Sequence, residues 1–193
     1  MPKIEKIQKI WYTHCMQIFY TWNIQDSNLF LKQILQNYFH ITEYILKQNI
    51  YGKKYILLPN DTTPIHFSIT HSKCLLAIAF FMDIVGVDTE YINKKIPVSI
   101  LRLLTEQEKK ECTSNYNFFK NWTAKESFIK LHGKSILEDF KHISYSNKKL
   151  LYYGESMLCH FQFIKIKNID DIYILAICTM QEINSIKLIE IKK

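Results

Sequence analysis

The chain has 193 residues, 48% of them hydrophobic and 22% charged, a balance that excludes disorder as its main state. No apolar run approaches the roughly 18 residues of a membrane span, and the start, Met1-Pro2-Lys3-Ile4-Glu5-Lys6, has no apolar signal core behind it. A cytoplasmic protein without a membrane partner is therefore expected. The net charge of +7 suits an anionic partner. Arg102 is the only arginine, however, and no basic patch carries interleaved aromatics, so nucleic acid is not the expected partner.

In chain order, Ile7 to Cys15 is rich in isoleucine and aromatics and reads as a strand. Asp26 or Ser27 caps a helix whose apolar face is Phe30, Leu31, Ile34, Leu35 and Tyr38. A loop follows through Tyr51-Gly52-Lys53-Lys54 to Pro59-Asn60-Asp61. His66 to Ile69 reads as a short strand, and Cys74 to Phe81 as a buried one. Ile84 to Glu90 is the next strand, and the short connection Met82-Asp83 predicts a hairpin between the two. Val98 to Leu104 is helical, and Thr105-Glu106-Gln107-Glu108 starts another helix with a capping box. A strong helix runs from about Phe118 to Leu131 and stops at Gly133. The rest is strands: Ile143 to Ser146, Leu150 to Tyr153, Met157 to Ile166, Ile172 to Cys178 and Ile186 to Ile191. The pattern is α+β, with two similar halves expected.

Three clusters can carry chemistry. In Val85-Gly86-Val87-Asp88-Thr89-Glu90 the strand period places Asp88 and Glu90 on one side. Two carboxylates there repel each other unless a cation lies between them, and Mg²⁺ is the hard ion that suits oxygen ligands. The alternative is two solvated carboxylates paired with lysines. In Trp122-Thr123-Ala124-Lys125-Glu126-Ser127-Phe128-Ile129-Lys130, Glu126 and Lys130 are i,i+4 neighbours. That is either an exposed ion pair, worth about 0.3–0.5 kcal/mol, or a carboxylate held beside phosphate-binding lysines. Phe67-Ser68-Ile69-Thr70-His71-Ser72 ends in three side chains able to bind an anion, although a structural histidine is the plainer reading. Glu108 is explained by its capping box, and Lys53 by a solvated turn. The five cysteines are odd in number and form no C-x-x-C, so neither a disulfide framework nor a zinc ribbon is expected.

Together, in this order, the clusters resemble the 4′-phosphopantetheinyl transferases of the Sfp type. The matching stretches are Tyr51-Gly52-Lys53, Phe67 to Ser72, Val85 to Glu90 and Trp122 to Gly133. The resemblance implies two similar α+β halves related by pseudo-twofold symmetry, residues 1–84 and 85–193, with the active site in the cleft between them. It implies a monomer that moves the phosphopantetheine arm of coenzyme A onto a serine of an apo carrier protein, acyl or peptidyl, with Mg²⁺. It also implies roles for single residues. Asp88, Glu90 and Glu126 correspond to metal positions, and Glu108 to a further acid near the metal. Glu126 and Lys130 correspond to catalytic positions. Lys125 and Lys130 correspond to the phosphate-binding lysines, Thr70 and His71 to the 3′-phosphate site, and Lys53 to the nucleotide end. Lys73 stands where the family often has glycine. The competing reading is a non-catalytic module that binds coenzyme A or a carrier protein.

Overall fold

The computed structural model of the chain describes residues 15–23, 26–59, 61–96, 98–133 and 139–192. These residues form an α+β fold of three sheets and a few helices. The expected strand over residues 7–15 lies almost wholly outside them. A strand begins at Cys15 and runs to Trp22.

Strand β5 (Leu75–Phe81) explains the layering, because all seven of its side chains are buried. Leu75, Ala77, Ala79 and Phe81 enter one core cluster, and Leu76, Ile78 and Phe80 enter another. Burying a Leu, Ile or Phe contributes about 1.5–3 kcal/mol, so the first sheet depends heavily on this strand. It lies between β1 (Cys15–Trp22) and β4 (Ile65–Ser72). β3 (Lys54–Leu57) and β2 (Ile45–Gln48) extend the sheet beyond β4. Residues 51–61 were expected as loop only, yet Tyr51-Gly52 joins these two strands. All four β2 residues are exposed, so no hydrophobic alternation marks this edge in the sequence.

Helix α1 (Ser27–Gln33) covers the outer face of the first sheet. Asp26 caps it, accepting from the Asn28 and Leu29 N–H groups at 2.9 and 3.1 Å. A π-helical turn, Ile34–Tyr38, continues it. Phe30, Leu31, Ile34 and Leu35 pack on Phe19, Phe67, Ile78 and Phe80.

The second sheet has the order β10 (His160–Asn168), β11 (Asp171–Thr179), β6 (Val85–Tyr91). The expected hairpin of β5 with β6 does not form: β6 pairs with β11, and β5 pairs with β1 and β4. Val85 and Val87 share a core with Ala77, Ala79 and Phe81 of the first sheet. Burial of that shared surface brings the two sheets against each other. The chain therefore changes sheet at Met82–Ile84.

Helix α4 (Asn115–His132) packs Ala124, Phe128, Ile129 and Leu131 against Cys178 of β11. Ser114 caps its start, and Gly133 ends it with φ 69°, a left-handed conformation that glycine adopts without a Cβ penalty. Ile143, Tyr145 and Leu150 join the same cluster from a third sheet, β7 (Ile143–Ser146), β8 (Lys149–Tyr152) and β9 (Glu155–Ser156). Two short helices, α2 (Val98–Leu101) and α3 (Glu106–Glu111), precede α4. Thr105 and Glu108 form the expected capping box at α3.

The last strand, β12 (Ser185–Glu190), expected with the second half, returns to the first sheet and runs parallel to β1. Ile186 and Ile189 pack on the cores on either side of that sheet, which draws the strand there. Among the described residues no helix is long and apolar enough to cross a membrane.

Candidate active site

β4 and β6 belong to different sheets, yet a row of side chains joins them. The strand period turns Ser68, Thr70 and Ser72 of β4 toward β6. Ser68 Oγ accepts from the Val87 N–H at 3.1 Å, Thr70 Oγ1 from Thr89 at 2.9 Å, and Ser72 Oγ from Tyr91 at 3.0 Å. Two of these hydroxyls also donate to acids. Thr70 bonds Asp88 Oδ1 at 3.2 Å, and Ser72 bonds Glu90 Oε2 at 2.9 Å.

Gly86 sets how closely α4 approaches β6. A Cβ at this position would lie 1.9 Å from the Ser127 carbonyl oxygen and 2.5 Å from the Leu131 nitrogen. Only glycine permits that contact. One step back along the helix, Glu126 and Lys130 reach Asp88. Lys130 Nζ lies 2.7 Å from Asp88 Oδ1 and 3.3 Å from Thr70 Oγ1. Glu90 pairs with Lys94 at 2.6 Å. Sequence reasoning missed Lys94, although it lies four residues from Glu90.

The charges here do not balance locally. Burial, then the charges of Asp88 and Glu90, push the Glu126 carboxyl up to about 8, with Lys130 opposing. Asp88 is 3% exposed, and its Oδ2 is buried without a hydrogen-bond partner. Among the described residues no three His, Cys, Asp or Glu side chains are arranged to hold a metal ion. Asp88 and Glu90 each give one oxygen to a lysine instead. The donor chemistry nonetheless fits a hard cation: Glu126 feels the charges of both Asp88 and Glu90, and that repulsion favours added positive charge.

The remaining expected site residues make contacts of other kinds. Lys125 and Glu108 were expected at phosphate and metal, but they pair with each other. Both are fully buried, with Lys125 Nζ 3.1 Å from Glu108 Oε1. Glu108 also accepts from the Tyr145 N–H at 2.9 Å and the Thr105 N–H at 2.7 Å. Burial holds the Lys125 ammonium below the usual lysine range, while Glu108 opposes that shift. The Lys125 side chain lies between Glu108 and the Phe140 ring.

Thr70 and His71 were expected to share one anion. They are successive strand residues and point to opposite faces, with Thr70 buried and His71 exposed. Lys73, where glycine is common in the family it resembles, takes φ 51°. Its ammonium holds Asp171 at 2.8 Å and lies over the Tyr91 ring, contacts that offset the backbone cost.

Lys53 was expected at a nucleotide. Its Nζ donates to two backbone carbonyls, Val85 at 2.5 Å and Lys130 at 2.8 Å. It thus clasps the start of β6 to the end of α4. Burial, then the Lys130 charge, push the ammonium down to about 7. A lowered lysine pKa gives stability that is complete above about 10.5 and lost as the pH falls through about 7. The Lys53→Met variant lacks this titration. Its unfolding free energy relative to wild type, measured in urea, should therefore fall between pH 7 and 10, by up to a few kcal/mol. A constant difference across that range would contradict a buried, titrating Lys53.

The family model of the 4′-phosphopantetheinyl transferase superfamily matches residues 84–178. No curated protein matches the chain. Asp88, Glu90, Glu126 and Lys130 all fall within the stretch, residues 84–178, that is similar to the 4′-phosphopantetheinyl transferase superfamily.

Proposed function

We propose that the chain is an Mg²⁺-dependent 4′-phosphopantetheinyl transferase of the Sfp type that modifies a serine of an apo acyl or peptidyl carrier protein. The observation that carries this reading is the packing of Glu126 and Lys130 against Asp88 within the family-matched stretch. Two similar halves, related by pseudo-twofold symmetry and acting as a monomer with the substrate between them, belong to the same reading.

Asp88, Glu90 and Glu126 would hold the cation. A Mg²⁺ held by these acids would supply positive charge to the pyrophosphate of coenzyme A and to the departing phosphate. Lys130, half-buried beside Asp88, would turn its ammonium to phosphate oxygens and compensate their charge in the transition state. The carrier serine oxygen forms a bond to the phosphorus next to the pantetheine. The bond from that phosphorus to the bridging oxygen breaks, and adenosine 3′,5′-bisphosphate leaves. Glu126, its ionised form favoured by the positive charge of a cation held there, would be the acceptor for the serine proton. The net charge of +7 favours encounter with coenzyme A and with an acidic carrier surface.

The test is the intact mass of a panel of apo carriers incubated with the protein, coenzyme A and Mg²⁺, with an EDTA control. A gain of one phosphopantetheine only with Mg²⁺ is expected. Coenzyme A binding without any gain would favour the non-catalytic module. Neither binding nor gain would overturn both readings.

A further inference from the structure

The hydroxyl row on β4 has the same two-residue period as the acids on β6. Ser68, Thr70 and Ser72 accept from Val87, Thr89 and Tyr91. The residues preceding those three partners are Gly86, Asp88 and Glu90. At the last two steps the hydroxyl closes a small cycle. It accepts from the N–H that follows the acid and donates to that acid's carboxylate. At the first step the preceding residue is glycine, which has no side chain to orient.

Each cycle restrains a carboxylate rotor. A hydroxyl has one proton and two lone pairs. For Thr70, one lone pair takes the Thr89 N–H and the other the Lys130 ammonium, so the proton is directed at Asp88 Oδ1. Oδ2 is left without a partner in a buried position. Ser72 does the same for Glu90, leaving its proton on Oε2 beside Lys94. Thr70 and Ser72 are 2% and 9% exposed, so solvent competes little for these bonds.

We propose that Thr70 and Ser72 are positioning residues that fix the Asp88 and Glu90 carboxylates for a divalent cation, with Ser68 the purely structural member of the row. This rests on the metal-dependent reading above. It gives Thr70 a role toward the acids in place of the expected role toward a phosphate.

Mn²⁺ titrated into the protein with coenzyme A present, and followed by loss of the free-ion resonance, tests this directly. A coenzyme A blank is subtracted. Outer hydrogen bonds to ligating groups typically alter metal affinity by about 10–100-fold. Ser72→Ala and Thr70→Val should therefore weaken Mn²⁺ binding by at least about tenfold, and Thr70→Ser, which keeps the hydroxyl, should restore it. Ser68→Ala should lower the urea midpoint and leave Mn²⁺ affinity unchanged. Should Thr70→Val fail to fold, Ser72→Ala alone decides the matter. Wild-type affinity in a folded Ser72→Ala protein overturns the positioning role while the cation site stands. An equal loss of affinity in Ser68→Ala also overturns it, because the row then acts only through the fold. A wild-type protein that binds no Mn²⁺ overturns the metal-dependent reading itself, and the positioning role with it.

Discussion

A folded Asp88→Ala protein should transfer phosphopantetheine about 10³-fold more slowly than wild type, or not at all. The substitution removes the carboxylate that Thr70 orients, that Lys130 contacts at 2.7 Å and that Glu126 abuts. Near-normal turnover in a folded variant would dissolve the proposed site. Glu126→Gln should reduce transfer on the same scale while changing stability in a pH-dependent way. The Glu126 carboxyl is raised from 4.5 to about 8 in the folded chain. Its contribution to stability is therefore complete below about 4.5 and lost as the pH rises through about 8. The glutamine is neutral throughout. The variant's urea midpoint relative to wild type should accordingly rise from pH 5 to pH 9. A difference that stays flat would mean that Glu126 does not titrate in this interval.

Some of this site was legible in the sequence because its signals are local. Asp88 and Glu90 share a strand side by the two-residue period, and Glu126 and Lys130 share a helix face by the four-residue one. Thr105 and Glu108 announced the capping box, and Gly133 the helix end. What failed required knowing which elements meet. The β5–β6 hairpin was expected because the connection is short, but burial of Val85 and Val87 against Ala77, Ala79 and Phe81 places the strands in facing sheets. Lys53 and Lys125 carry the same side chain as Lys130. Lys53 ends on two backbone carbonyls, Lys125 on a buried glutamate, and Lys130 on Asp88. Nothing in the local sequence separates these three environments. The hydroxyl row was visible as Ser68, Thr70 and Ser72, but its meaning depended on a register between two strands that exchange no backbone bonds.

The pairing of Lys125 with Glu108 leads to the second large effect, on stability rather than turnover. Glu108→Ala should destabilise the chain by about 3–5 kcal/mol, the usual cost of stranding one partner of a buried ion pair. The Lys125 ammonium would keep its burial and lose its counter-charge. The N–H groups of Thr105 and Tyr145 would lose their acceptor as well. Adding Lys125→Met should recover part of the loss, because a neutral side chain of similar length fills the same space beside Phe140. Recovery should stop short of wild type, since the two backbone donors remain unpaired. Urea unfolding in EDTA measures all three proteins without any contribution from a divalent cation. If Glu108 instead holds a metal, Glu108→Ala should unfold like wild type in EDTA and lose ground only when Mg²⁺ is added. A full loss in EDTA, partly recovered by Lys125→Met, would assign Glu108 to the core that supports α4, and leave Asp88, Glu90 and Glu126 as the acids available to a cation.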